Sequence, residues 1–172
     1  MLLEKIAQKI DDFNEKLGKW TSWLTFILVI LVCFDVISRY LFNSSSGAVQ
    51  ELEWHLFAII FLVAAGYTLK HNEHVRVDVI YSRLSKKTQA IIDLVGSLLF
   101  LVPFCLLVIY ASKNFVFTSF QIGETSPDSG GLPARYILKA ILPISFVFIL
   151  LQGFAIIIRS VITLKTTNNS TD

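Results

Sequence analysis

The chain has 172 residues, of which 54% are hydrophobic and only 16% are charged, against about 25% charged residues in an average soluble domain. So apolar a chain cannot cover itself with a polar surface in water, which favours an integral membrane protein over a soluble domain. The net charge of +2 is too small to indicate a nucleic-acid-binding protein.

Residues 2–18 are predicted to form an amphipathic helix that lies on the membrane surface or on a partner. Apolar side chains recur there at spacings of three and four, and lysines and acids occupy the opposite face. The apolar positions are Leu3, Ile6, Ile10, Phe13 and Leu17. Gly18 is expected to end this helix, and Trp20 and Trp23 are expected to anchor the next segment at the membrane interface.

Four apolar stretches are each long enough for a helix that crosses a bilayer, which takes about 20 residues. They cover residues 20–42, 51–69, 91–112 and 136–162. Because backbone groups in lipid must be paired within the segment, we predict an all-α integral membrane protein with four transmembrane helices. Residues 1–172 are expected to form one membrane domain, with a flexible polar tail at 163–172.

The basic residues predict how these helices are oriented. Eleven of the fifteen Lys and Arg residues lie before the first stretch, between the second and third, or near the end of the fourth. Since such residues accumulate on the cytoplasmic side, both termini are expected to be cytoplasmic. Residues 43–50 and 113–135 then face outward, which is the periplasm if the membrane is the inner membrane of a Gram-negative bacterium.

Ionisable residues within or beside the apolar stretches are candidates for helix packing or subunit contact, because each costs about 2.5–3.5 kcal/mol to place in a bilayer. They are Asp35, Arg39, Glu51, Glu53, His55, Asp93 and Arg159. Asp35 and Arg39 lie one turn apart and could pair with each other. The short link after the first stretch instead favours a pair between Arg39 and either Glu51 or Glu53. Asp93 and Arg159 are expected to pair between helices.

A path for protons or sodium through these groups is an alternative, since ion-coupled carriers place such groups near the bilayer midplane. Glu51 and Glu53 lie instead at the outer end of their stretch, and Arg39 can neutralise Asp35. A structural role is therefore favoured. Haem held by two histidines is also disfavoured, because only His55 lies within a stretch.

Small residues and prolines predict how the third and fourth helices pack. Gly96, Ser97 and Gly153 are expected to allow these helices to approach closely. Pro103 is expected to kink the third helix, whereas Pro143 either kinks the fourth or marks its start.

The segment KHNEHVRVDVI, which follows the second stretch, has two histidines at a spacing that suits either a metal site or a turn. A metal ion would need further ligands, and only Glu73 and Asp78 are near, among basic residues. We therefore expect a turn at the cytoplasmic surface that His74 and Arg76 hold. A short interfacial helix through residues 79–84, capped by Asp78, is expected to follow.

The segment GETSPDSGGLPARY, which precedes the fourth stretch, has too many prolines and glycines for regular structure. It is either a plain connection between helices or a docking surface, because loops on rigid scaffolds often bind partners. The charged residues of the docking alternative are Glu124, Asp128 and Arg135.

Four motifs in one order resemble a known family. RYLFN ends the first stretch, ELEW opens the second, HVRVD follows it, and ETSPDSGGLPARY leads into the fourth. In this order the chain resembles the small membrane subunit of a tripartite ATP-independent periplasmic (TRAP) transporter of the DctQ type. Within that family, the resemblance points to the small subunits of sialic acid systems.

The resemblance implies a transport subunit and not an enzyme. It implies a tight heterodimer with a large membrane subunit that carries the sodium and substrate sites and moves in an elevator-type motion. A periplasmic substrate-binding protein would bind transiently and deliver an organic acid for sodium-coupled uptake. This chain, surrounded by membrane lipid, would serve as scaffold without a cofactor or metal. An autonomous small carrier or a haem-containing redox anchor is the alternative.

Overall fold

The computed structural model describes residues 2–71 and 81–169, with side chains described as far as Thr167. The described residues form four long helices and their connections. The helices are α1 (Leu2–Phe42), α2 (Gly47–Lys70), α3 (Lys86–Gln121) and α4 (Arg135–Asn169). All four are long and apolar enough to cross a membrane, which confirms the predicted number of spans.

The N-terminal segment and the first span form one continuous helix, which corrects the prediction that Gly18 ends a separate helix. Gly18 serves packing instead, since a Cβ there would collide with the ring of Tyr67 on α2. At 1.5 Å per residue, the 41 residues of α1 extend about 60 Å, roughly twice the thickness of the hydrocarbon core of a bilayer.

The N-terminal half of α1 packs on the other helices through its small and polar face. Ala7, Asp11, Asn14 and Gly18 are buried along this face. Some large apolar side chains point outward, as Leu3 does with an exposure of 52%, whereas the Phe13 ring packs edge to face on Phe148 of α4. The predicted amphipathic pattern is therefore present, but its polar side contacts protein. The apolar side is left for lipid or a partner.

α4 is the central helix, because it packs against each of the other three. Its buried residues are small or polar, which allows helices to approach closely. They are Ser145, Gln152, Gly153, Ala155 and Ser160. Leu101 of α3 occupies the space that a side chain at Gly153 would need, as the sequence predicts. Gly96 does not serve this purpose, since no atom lies within 4 Å of a Cβ built on it.

α3 changes its winding just before Pro103. Ser97–Leu101 form a π-helical segment, and the Val102 amide donates to the Ser97 carbonyl five residues earlier. Proline has no amide proton for the helical ladder, and π segments commonly bend helices. The π segment ends directly before Val102 and Pro103, and the kink at Pro103 stays a prediction. Pro143 lies inside α4 and does not mark its start.

The outer surface of the helices is rich in large apolar side chains, whereas many buried side chains are polar. Trp23, Phe100 and Tyr110 are 71%, 73% and 82% exposed, while Asp35 and Ser119 are at most 3% exposed. An apolar exterior on this scale indicates contact with a membrane or with another subunit.

Two predictions fall partly or wholly outside the described residues. The turn held by His74 and Arg76 and the helix cap at Asp78 belong to residues 72–80, so both stay predictions. After that gap, the Leu84 amide donates to the Tyr81 carbonyl at 3.1 Å in a turn that leads into α3. At the other end, α4 continues to Asn169, beyond the predicted end of its span.

Candidate contact sites at the helix ends

The outer loop, residues 122–134, connects α3 to α4 and lies over the start of α2. Gly123 and Gly130 have positive φ angles of 59° and 74°, a conformation that glycine adopts without strain. The Ser126 amide donates to the Leu132 carbonyl at 3.1 Å and closes the loop on itself. The outer loop is therefore a shaped surface and more than a plain connection.

A buried carboxylate, Glu51 near the start of α2, holds this loop. It accepts hydrogen bonds from the Ser126 hydroxyl and the Leu132 amide, each at 2.5 Å, and from the Arg135 guanidinium at 2.8 Å. A Cβ on Gly131 would lie 2.8 Å from a Glu51 oxygen. Hydrogen bonds to an ionised group are stronger than neutral ones, so Glu51 fixes the shape of the loop.

Two of the three predicted docking residues bind within the chain. Arg135 binds the buried carboxylate, and its guanidinium carbon lies 5.7 Å from the centre of the Trp54 ring. Glu124 pairs with Lys139 of α4, and this ammonium holds the pKa of the Glu124 carboxyl below its ordinary value. Asp128 is exposed, and its carboxylate has no hydrogen-bond partner within residues 2–71 and 81–167. Asp128 is the acidic group that the loop presents outward.

The charges near the outer end of α1 pair within that helix. Arg39 donates to the buried carboxylate of Asp35, which corrects the predicted pair between Arg39 and Glu51 or Glu53. One oxygen of Glu53 is buried without a hydrogen-bond partner in the described part of the chain. The His55 ring contacts the Glu51 carbonyl through Nδ1 at 2.5 Å, so it belongs to the structure of α2.

At the opposite end, four side chains form what we call the inner network, which joins α1 to α4. Asn14 Nδ2 donates to Gln152 Oε1 at 2.8 Å, and Gln152 Nε2 donates to Asp11 Oδ1 at 2.9 Å. Arg159 donates to the other carboxylate oxygen of Asp11. Asp11, Asn14 and Gln152 are each at most 2% exposed. These three side chains of the inner network therefore lie inside the helix packing, whereas Arg159 reaches Asp11 from an exposed position.

Asp93 and Arg159 each have a partner other than the one predicted. Arg159 pairs with Asp11, and Asp93 accepts a hydrogen bond from the Tyr81 hydroxyl at 2.7 Å. The sequence pattern assigned Asp11 to the face away from protein, which hid this pair. Gln152, a polar residue well inside the fourth apolar stretch, was the signal that could have revealed the inner network.

A third contact joins α1 to the end of α2. The Glu15 carboxylate accepts a hydrogen bond from Lys70 Nζ at 2.7 Å and contacts His71 Nε2 at 2.9 Å. The His71 side chain thus belongs to a contact between α1 and the end of α2. His74, its partner in the alternative of a metal site, lies outside the described residues.

One protein family matches most of the chain. The family described as "Tripartite ATP-independent periplasmic transporters, DctQ component" matches residues 28–163. A Haemophilus influenzae protein described as a candidate TRAP transporter small permease is 29% identical over 104 residues, 60% of this chain and 63% of that protein. The chain thus aligns with less than two thirds of this relative's length. The family match begins within α1 and includes the outer loop.

Proposed function

The chain belongs to the DctQ family of tripartite ATP-independent periplasmic transporter components, and we propose that it is the small permease subunit of such a transporter. It pairs tightly with a large membrane subunit in sodium-coupled uptake of an organic acid such as sialic acid. A periplasmic binding protein delivers the acid. The chain lies in the bacterial inner membrane with both termini in the cytoplasm.

The observation that carries a scaffold role is that charged side chains of the helices bind one another. The pairs are Asp11 with Arg159, Asp35 with Arg39, and Glu51 with Arg135. A carrier needs polar groups that exchange partners as an ion or substrate passes, whereas these groups hold helices and a loop in place. We therefore assign the sodium and substrate sites to the large subunit.

The apolar exterior supplies the surface for the large subunit and for lipid. α1 contributes large exposed side chains along its whole length, including Leu2, Trp20, Trp23, Phe34 and Tyr40. Within a bilayer these side chains leave lipid and not water, so van der Waals packing against the large subunit drives their association. In the N-terminal half of α1, apolar side chains such as Leu3 and Ile6 stay exposed, so this half can extend the same contact beyond one bilayer thickness.

The outer loop is proposed as a docking surface for the periplasmic binding protein. The buried Glu51 carboxylate holds the loop in one shape through its hydrogen bonds. A loop that is ordered before binding loses less entropy when the partner binds. Asp128 supplies its exposed charge. Charges at the edge of an interface act mainly on the rate of encounter, which suits a partner that binds and leaves during each transport cycle.

Co-purification tests the proposed function. The tagged chain is expressed with a large TRAP membrane subunit from the same organism and purified in detergent. We expect a one-to-one complex, and we expect proteoliposomes to take up the acid only when they hold both membrane subunits and receive the binding protein. Purification of the tagged chain without the large subunit would contradict the pairing.

Two outcomes would favour the alternative functions. Uptake by proteoliposomes that contain this chain without a partner would indicate an autonomous carrier. A haem absorbance band in the purified chain would indicate a redox anchor.

A further inference from the structure

The junction between the outer loop and α4 contains a strained residue. Ala134 has a φ angle of 62°, in the left-handed region that a residue with a Cβ adopts only at an energetic cost. The next residue, Arg135, begins α4. A backbone in this conformation persists where its surroundings hold it. Contacts beside Ala134 are therefore needed to keep the outer loop in its observed shape.

Arg135 makes one such contact through its backbone and two through its side chain. Its amide donates to the Glu124 carbonyl at 3.0 Å, and its guanidinium donates to the Glu51 carboxylate at 2.8 Å. The guanidinium carbon also lies 5.7 Å from the centre of the Trp54 ring. A cation is attracted to the face of an aromatic ring up to about 6 Å from its centre. Glu51 and Trp54, both near the start of α2, therefore hold one guanidinium between them.

The hydrogen bond to Glu51 does not by itself fix the orientation of the guanidinium. It is formed by Nη2, whereas Nε is buried without a hydrogen-bond partner in the described part of the chain. An arginine that binds a carboxylate through two donors is held in one plane, but a single hydrogen bond leaves it free to rotate. An aromatic face on one side limits this rotation. The Trp54 ring therefore supplies the constraint that Glu51 does not.

We propose that Trp54 is a positioning residue for the outer loop. Its ring limits the rotation of the Arg135 guanidinium, keeps the ion pair with Glu51 in one geometry, and thereby holds the strained junction at Ala134. Trp54 acts in this role through Arg135. The effect on loop shape follows from these contacts alone, whereas an effect on the periplasmic binding protein rests on the docking role proposed above.

A membrane anchor is the other role to separate from this one, because tryptophan is common at membrane interfaces. Trp54 is 43% exposed, whereas Phe57 and Phe61, which follow it at helical spacing on α2, are 62% and 69% exposed. The centre of the Trp54 ring also lies 4.1 Å from that of the His55 ring, so protein covers part of it. An anchor needs no arginine. The two roles therefore differ in whether the effect of Trp54 depends on Arg135.

Hydrogen exchange in the full-length chain, reconstituted in nanodiscs, tests the positioning role. The amide to follow is that of Leu132, because it donates to Glu51. Trp54→Leu should speed its exchange about fivefold, and Trp54→Phe, which keeps a ring face with a weaker attraction, about twofold. Phe57→Leu is the matched control, since it removes a ring one turn further along α2, and it should leave the exchange unchanged.

A double-mutant cycle separates positioning from anchoring. Arg135→Gln removes the cation and should speed exchange of the Leu132 amide about tenfold, because a charged hydrogen bond is lost. If Trp54 acts through Arg135, the addition of Trp54→Leu to Arg135→Gln should change the exchange no further. An anchor would add the same factor in both backgrounds. Additive effects would therefore overturn the proposal, as would equal exchange in Trp54→Leu and the unmodified chain.

The binding protein distinguishes this proposal from the docking role of the outer loop. In the complex with the large subunit, Trp54→Leu should slow association of the binding protein about threefold, because a less ordered loop binds at a greater entropy cost. Faster exchange of the Leu132 amide with an unchanged association rate would keep the positioning role and remove the docking role. Circular dichroism verifies that each variant is folded, and Trp54→Phe carries the same test if Trp54→Leu does not fold.

Discussion

Two buried carboxylates hold opposite ends of this chain, and they hold different kinds of structure. Glu51 binds donors that belong to the outer loop and to the first residue of α4. Asp11 binds Gln152 and Arg159 from the interior of α4. The same chemical group thus fixes the shape of a surface at one end and the packing of helices at the other.

The two ends also differ in their relation to the DctQ family. Residues 28–163 match the family, and this range contains Glu51 and the whole outer loop. Of the inner network it contains Gln152 and Arg159, but Asp11 and Asn14 precede it. The outer end therefore lies wholly within the matched sequence. The inner network instead joins the matched sequence to the segment that precedes it. We expect changes at the outer end to affect transport and changes at the inner end to affect stability.

The largest effect is expected from Asp11→Ala. This change leaves the buried Gln152 amide without its acceptor, which costs about 1–3 kcal/mol, and it also removes the partner of the more exposed Arg159. We expect the free energy of unfolding to fall by about 2–3 kcal/mol. Denaturation in mixed micelles, followed by circular dichroism, measures this change.

Asp12→Ala is the matched control for Asp11→Ala. Asp12 is exposed and accepts a hydrogen bond from Gln8 of the same helix. Surface substitutions usually change stability by less than about 0.5 kcal/mol. Equal effects of the two variants would show that the inner network contributes nothing specific to packing.

The second prediction concerns Glu51→Gln. The amide can accept through one oxygen only and lacks the charge that binds Arg135, so the outer loop should lose its fixed shape. We expect uptake in reconstituted proteoliposomes to fall about tenfold while the complex with the large subunit still co-purifies. This result would separate the role of Glu51 from that of Asp11.

Glu53→Gln controls for the loss of a carboxylate from the same helix. One Glu53 oxygen is buried with no hydrogen-bond partner in the described part of the chain. This variant should change uptake by less than about twofold. If Glu53→Gln instead abolished uptake and Glu51→Gln did not, Glu53 would have an ion-handling role that the proposal denies.

The sequence predicted the helices well because apolar stretches of about 20 residues leave few alternatives in a bilayer. It also predicted that Gly153 allows close packing. It failed at Gly18, because helix propensity disfavours glycine and the pattern cannot show that the Tyr67 ring occupies the space beside it. Local rules thus described each helix but only some of the contacts between helices.

Ion-pair partners were predicted poorly for a related reason. Arg39 was assigned to an acid of α2, but Asp35 lies one turn away and is always within reach. Arg159 was assigned to Asp93, but α1 continues far enough to bring Asp11 to it. Pairing between helices depends on their lateral arrangement, and spacing along the chain does not contain that information.

The third prediction concerns the exposed end of the outer loop. Asp128→Lys reverses the exposed charge. Because the Asp128 carboxylate has no hydrogen-bond partner in the described residues, the change removes no hydrogen bond there. Exposed charge pairs contribute about 0.2–1 kcal/mol. We therefore expect the binding protein to associate about threefold more slowly, measured by surface plasmon resonance on the membrane complex in nanodiscs, with loop shape unchanged.

Asp12→Lys makes the same charge change at the opposite end of the chain and should leave this association rate unaltered. Equal rates for Asp128→Lys and the unmodified chain would remove the outer loop from the docking surface. Glu124 and Arg135 are less suitable for such a test, because each pairs within the chain and its reversal would also disturb the loop.

The smallest effect is expected from the Glu124–Lys139 pair, which closes the outer loop against α4. The Lys139 ammonium lowers the pKa of Glu124 from its ordinary value of 4.5. The folded state therefore binds this proton less readily than the unfolded state. The stabilisation is complete above about pH 4.5 and is lost as the pH falls through the lowered pKa.

Thermal unfolding between pH 3 and pH 7 should show that the Glu124→Gln variant is less stable than the unmodified chain at neutral pH, and that this difference disappears as the pH falls. Lys139→Met should show the same trend, because it removes the other half of the pair, and a deficit independent of pH in both variants would contradict the ion pair.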